Sequence, residues 1–180
     1  MKFIPLDIPE VMLIEPKVFP DARGYFYESY REDVFAKNGI HTHFVQDNCS
    51  RSSKGALRGL HYQIAPTTQA KLVRVTAGEV FDVAVDIRKS SKTFGKYVSL
   101  ILSGSKIQWL YVPEGFAHGF CALTDNCEFH YKVSNFYSAQ DERGIIWNDP
   151  DIHIQWPKME YILSAKDQKY PSLKQGVTFP

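Results

Sequence analysis

The sequence predicts a mainly β protein, a jelly-roll barrel with one short helix in its N-terminal half and short helical turns near the C-terminus. Three observations carry that reading. Short runs rich in β-branched and aromatic residues recur between Gly, Pro, Ser, Asp and Asn, a pattern of sandwiches and barrels. A helix signal of any length is confined to one early stretch. Several runs also place a lone polar residue on a face that is otherwise apolar, which favours a barrel with a lumen over a plain sandwich.

The elements follow in chain order. Ser29-Tyr30-Arg31-Glu32 has the S-x-x-E form of a capping box, and Asn38-Gly39 is a good stop, so a helix is predicted around Arg31 to Asn38. Lys71–Val75 and Glu79–Ile87 are strands joined tightly through Ala77-Gly78. Tyr97–Leu102, Gln108–Val112, Gly119–Leu123 and Cys127–Val133 complete the regular series. A last short turn is expected from Ser164 to a point before Pro171. No repeat, low-complexity tract or linker divides the 180 residues, and a chain of that length suits one domain over 1–180.

Composition narrows the function. The formal net charge is +1 and no basic block or stripe occurs, so nucleic acid is not an expected partner. Behind Lys2 there is no apolar signal-peptide region, and no apolar stretch is long enough to span a bilayer, so no membrane is expected. Cys49, Cys121 and Cys127 are odd in number and form no CxxC pair. They read as ordinary thiols of a cytoplasmic protein.

Strand parity then picks out chemistry, because alternate side chains share a face. In Cys127–Val133, Phe129, Tyr131 and Val133 point one way while Glu128, His130 and Lys132 point the other. Lys71 shares the face of Val73 and Val75, and His61 shares a face with Gln63 opposite Leu60 and Tyr62. A lysine, a histidine, a tyrosine and a glutamine thus converge on one lumen, and buried ionisable groups are costly without partners or a function. Taken singly, each has a plainer reading. His61 suits a hydrogen-bonded core histidine, Tyr131 a core tyrosine with a satisfied hydroxyl, and Lys71 a side chain snorkelling to the barrel mouth. Ser164-Ala165-Lys166-Asp167 also has the form of a helix capping box.

Eight stretches in order make the chain resemble the dTDP-4-dehydrorhamnose 3,5-epimerase family. They are Phe19–Glu28, Gln46–Ser50, Leu57–Gln63, Lys71–Val75, Val112–Phe120, Tyr131-Lys132, Trp147–Pro150 and Leu163–Asp167. The resemblance implies a cupin jelly roll, usually a homodimer, that needs no metal or organic cofactor. It implies epimerisation at C3 and C5 of dTDP-4-dehydro-6-deoxy-D-glucose to dTDP-4-dehydro-L-rhamnose in dTDP-L-rhamnose biosynthesis. Such chemistry needs a base on one face of the sugar, an acid on the other and a stabiliser for the enolate oxygen. By resemblance His61 is the base, Asp167 its carboxylate partner, Tyr131 the proton donor, and Lys71 lies close to the enolate oxygen. Arg23 and Arg58 are candidates for the diphosphate, since a guanidinium fork matches phosphate oxygens. Phe19 and Phe26 are candidates for the thymine face. Glu28, Gln46, Asp47, Asn48, His118, Glu142 and Lys166 match positions that line the sugar-nucleotide site. Because the N-terminal strand of the family crosses to the neighbouring subunit, Arg23, Phe26 and Glu28 are expected to serve a partner's site. An ion pair of Arg23 with Glu28 is the plain alternative.

Metal-binding cupins present an H-x-H and a following glutamate, with a later histidine. Pro113–His118 resembles the second half of that pattern, but the region of His61 holds one histidine, and His41-Thr42-His43 precedes the expected strands. No metal is therefore expected. Three rivals stand beside the main reading. They are an epimerase or ketoisomerase acting at a single position, a non-catalytic sugar-nucleotide-binding cupin, and a metal-dependent cupin. The joint presence of base, acid and lysine disfavours the second, and the missing H-x-H disfavours the third.

Overall fold

The computed structural model describes residues 1–180. Its strands form two six-stranded sheets and a separate two-stranded hairpin. The first sheet runs β1 (Lys2–Pro5), β2 (Met12–Glu15), β10 (Trp109–Val112), β7 (Lys71–Ala77), β12 (Cys127–Val133) and β5 (Gln46–Ser52). The second runs β13 (Glu142–Gly144), β6 (Ala56–Gln63), β11 (Phe116–Ala122), β8 (Glu79–Asp86) and β9 (Tyr97–Ser103), with β14 (Ile162–Leu163) parallel beside β6. The hairpin is β3 (Val18–Asp21) with β4 (Gly24–Tyr27). The expected jelly roll is present, and no helix is long and apolar enough to cross a membrane.

The strands predicted between Lys71 and Val133 all form, with shifted ends. β11 starts at Phe116 and not at Gly119, because Gly115, at φ +84°, makes the turn immediately before it. Gly78, at φ +75°, carries the chain from the first sheet to the second in a single residue. A Cβ there would meet the side chains of Thr124 and Cys127.

The helix prediction needs one correction. α1 spans Glu32–Lys37, its N-cap is Arg31, and no side chain caps it. Ser29 does not form the predicted capping box. Asn38-Gly39 does end the helix, with Gly39 at φ +85°. The segment after Ser164 forms turns, not a helix.

Parity sorts the apolar residues into three layers. Val73, Val75, Leu110, Val80, Ala84 and Phe129 belong to the 15-residue core between the sheets. Leu60, Tyr62, Val83 and Val85 point out of the second sheet into a 9-residue cluster under the C-terminal segment. Leu72, Trp109 and Tyr111 point out of the first sheet and pack with Phe35 of α1. Truncating a fully buried residue such as Leu110 to Ala would cost about 2–5 kcal/mol. The two outer layers clamp both sheets from outside and fix what their inner faces present at the end of the barrel.

Candidate active site

At that end the inner faces turn polar around a cavity of about 280 Å3. The second sheet supplies Arg58, His61 and His118, and the first supplies Lys71, Phe129 and Tyr131. Strand parity alone would set Arg58 and His61 on opposite faces. A register irregularity between β6 and β11 resolves this, since His61 pairs with His118 while Arg58 pairs with Phe120. Three residues of β6 thus span two of β11, a bulge that returns both side chains to the lumen. Gly59 permits it, with φ at +133° and room so short that a Cβ would lie 2.6 Å from the Gly119 Cα.

His61 and Asp167 come together as expected. His61 Nε2 lies 2.5 Å from Asp167 Oδ1, with the Asp167 side chain 5% exposed. An ionised Asp167 accepts the Nε2 proton, which leaves Nδ1 as the free acceptor. The Asp167 backbone N–H donates to Ser164 Oγ at 3.0 Å. The turn is therefore capped by the serine while the carboxylate is given to the histidine. The Tyr170 ring stands edge-on to His61, with centroids 5.6 Å apart.

Lys71 is buried and donates to the His61 carbonyl at 3.2 Å. Burial drives its pKa down to about 8, against the pull of Asp82 and Glu142. Tyr131 is pushed up by burial, offset by Arg58, so its phenol keeps its proton at neutral pH. His118 Nε2 lies 2.9 Å and 3.1 Å from the two oxygens of the fully buried Asp82. At the rim, Lys166 and the Tyr137 hydroxyl both donate to Glu142 Oε2. Burial works against the charged form of Glu142, but these bonds prevail and hold its carboxyl below the ordinary value.

Arg58 donates to Ser52 Oγ and the Arg51 carbonyl and has no carboxylate partner, so its charge is available to an anion. Gln46 and Asn48 share a face of β5 and bond each other at 2.9 Å, and the Tyr137 N–H donates to Gln46 Oε1. Asp47 lies on the outward face and pairs with Lys132 at 2.9 Å.

Gln46, Asp47 and Asn48 do not line this cavity, Asp47 and Asn48 bordering a separate one beside Tyr30 and Trp109, and the expected residues of the N-terminal region also stand outside it. Arg23 pairs with Asp21 at 2.7 Å, and Glu28 lies 3.5 Å from Arg31, so the alternative pairing of Arg23 with Glu28 is absent. Phe19 and Phe26 face each other across the hairpin, 48% and 68% exposed. Sequence reasoning did not assign Ser50, Phe120, Phe129, Tyr137 or Tyr170 to the site. The inward parity of Phe129 beside Tyr131 was a usable signal; Tyr170 offered none.

Comparisons with known proteins point one way. The family model described as dTDP-4-dehydrorhamnose 3,5-epimerase matches residues 5–175. A dTDP-4-dehydrorhamnose 3,5-epimerase of Shigella flexneri is 57% identical over 168 residues, 93% of each chain. Among solved structures, the dTDP-6-deoxy-D-glucose-3,5-epimerase of Legionella pneumophila in complex with dTDP-4-keto-L-rhamnose is 48% identical. Its TM-score is 0.93, covering 97% of this chain and 93% of that one. The dTDP-4-dehydrorhamnose 3,5-epimerase of Elizabethkingia anophelis is 47% identical with a TM-score of 0.93, covering 97% of both chains.

Proposed function

The chain belongs to the dTDP-4-dehydrorhamnose 3,5-epimerase family, and from that membership and its own geometry we propose how it works. It is an isomerase that converts dTDP-4-dehydro-6-deoxy-D-glucose to dTDP-4-dehydro-L-rhamnose by inverting C3 and C5, a step of dTDP-L-rhamnose biosynthesis. The observation that carries the mechanism is the placement of His61 and Tyr131 on opposing sheets across one cavity.

The C4 ketone acidifies the C–H bonds at both neighbouring carbons. His61 Nδ1 takes a proton from one face, and Asp167 stabilises the imidazolium that results. The Lys71 ammonium meets the charge that develops on the C4 oxygen, in a setting where burial strengthens the interaction. Tyr131 then delivers its proton from the opposite sheet, and the configuration inverts. Because C3 and C5 both flank the ketone, one acid–base pair serves them in turn. Each inversion leaves His61 protonated and Tyr131 ionised, and proton exchange with solvent resets the pair before the second carbon reacts. Arg58 faces the diphosphate, with His118, Glu142 and Lys166 lining the sugar.

A second element of the proposal concerns assembly. The exposed hairpin carries Phe19, Arg23 and Phe26 away from the protomer's own cavity, which supports a homodimer in which each hairpin completes the partner's site. The unpaired thiols of Cys49, Cys121 and Cys127 support a cytoplasmic setting.

The test is incubation with dTDP-4-keto-6-deoxyglucose in deuterated water, followed by NMR of the sugar. Deuterium at C3 and C5 with formation of the L-sugar is expected. Deuterium at one carbon only would reduce the activity to a single-position epimerase, and none would contradict catalysis.

A further inference from the structure

Most side chains lining the cavity are polar. The exception is a patch made by Phe120 of β11 and Phe129 of β12, which come from opposing sheets. Their rings stack with centroids 4.2 Å apart and planes 15° apart. The Phe129 ring centroid lies 6.1 Å from those of both His118 and Tyr131. Both phenylalanines also belong to the core between the sheets, so the patch is the floor on which the polar cavity meets the apolar interior.

We infer that this aromatic floor receives the C6 methyl of the sugar and thereby selects 6-deoxy sugars over sugars that carry a 6-hydroxyl. The inference rests on the nucleotide-sugar reading above and names what that site discriminates. The ring hydroxyls, the keto oxygen and the diphosphate of the substrate are polar, and Arg58, His61, Lys71, His118 and Glu142 offer them partners. The methyl is the one substituent that gains nothing from those groups and gains most from an apolar surface.

The methyl is also attached to C5, a carbon whose configuration inverts. As C5 flattens into the enolate and is reprotonated from the other side, its substituent swings through an arc. Stacked rings make no directional bonds, so the methyl keeps its contact throughout. A hydroxymethyl group on the same floor would set its oxygen against two rings that offer no hydrogen-bond partner, at the cost of its water contacts. An apolar pocket rejects an added hydroxyl by about 100-fold at most.

Calorimetry with dTDP-6-deoxy-D-glucose and dTDP-D-glucose tests this directly. The two differ only by the 6-hydroxyl, and neither has the ketone needed for turnover. The wild-type protein should bind the 6-deoxy sugar about 10- to 100-fold more tightly. Phe129→Leu, which keeps the floor apolar, should retain most of that preference. Phe120→Ser, which admits a hydroxyl and water, should bring the ratio close to one while binding of dTDP alone persists. Equal affinities for the wild-type protein overturn the inference whether or not either variant folds. An undiminished preference in a Phe120→Ser protein that still binds dTDP overturns it as well. If equal affinities accompany normal deuterium uptake from the 4-keto substrate, only the role of the floor fails and the epimerase reading stands. Absent uptake in the wild-type protein would instead remove the reading on which the inference rests.

Discussion

The polar end of the barrel and the β3–β4 hairpin each hold part of the expected site, and the two are built differently. In the barrel His61, Lys71, His118 and Tyr131 stand on strands clamped by apolar layers, and Asp167 reaches His61 from a turn. Asp167 is 4% exposed, Lys71 9% and His118 6%. In the hairpin the Arg23 side chain is 90% exposed and tied only to Asp21 on the same turn. The lesson is that the groups proposed for proton transfer come together within one protomer, where rigid strands can hold them to the geometry such a reaction demands. The hairpin offers groups that become useful when something else closes over them, an exposed aromatic pair and an arginine whose ion pair a phosphate can replace.

The comparison breaks most visibly at His61. His61→Asn should lower turnover by about two to four orders of magnitude, with dTDP affinity nearly unchanged, because a positioned base is lost and no nucleotide contact is. Steady-state kinetics and calorimetry separate the two effects. A loss confined to affinity would move His61 from the chemistry to the binding group.

Arg23→Ala should do the reverse, raising KM and weakening dTDP with a smaller change in kcat. Mixing it with His61→Asn sharpens the contrast. If hairpins act in trans, one site of each mixed dimer takes His61 from one protomer and Arg23 from the other. Activity at low substrate should then exceed the sum of the separate proteins. Simple additivity after subunit exchange would assign the hairpin to its own protomer.

A smaller effect is expected with pH. Burial favours the neutral amine of Lys71, so its charged form is retained only below about 8. As pH rises through that value the ammonium deprotonates, the enolate loses its counter-charge and kcat should fall. A kcat that stays flat well above pH 8 would take Lys71 out of the oxyanion role.

The barrel was legible in the sequence because parity is local. Cys127–Val133 has only two faces, and the apolar one had to include Tyr131. Lys71 followed from Val73 and Val75 in the same way. Arg58 did not, since its return to the lumen depends on a bulge opposite Gly119 that alternation cannot reveal. Asp167 and Tyr170 reach His61 from more than a hundred residues away, a distance only a motif can bridge and only for the aspartate. The capping box at Ser29 misled because a four-residue pattern does not fix where the chain enters the helix, and Arg31 became the N-cap. Parity would also have separated Asp47 from Gln46 and Asn48, which face the other side of β5.

The claim that base and acid attack from opposing sheets is tested most directly by following deuterium uptake and epimerisation together in Tyr131→Phe. With His61 and Asp167 intact the enolate still forms, and the histidine can return a solvent-derived proton to the face it came from. Deuterium should therefore enter C3, C5 or both while inversion falls by about two to four orders of magnitude. Inversion at the wild-type rate, or exchange lost in step with inversion, would contradict the two-face arrangement.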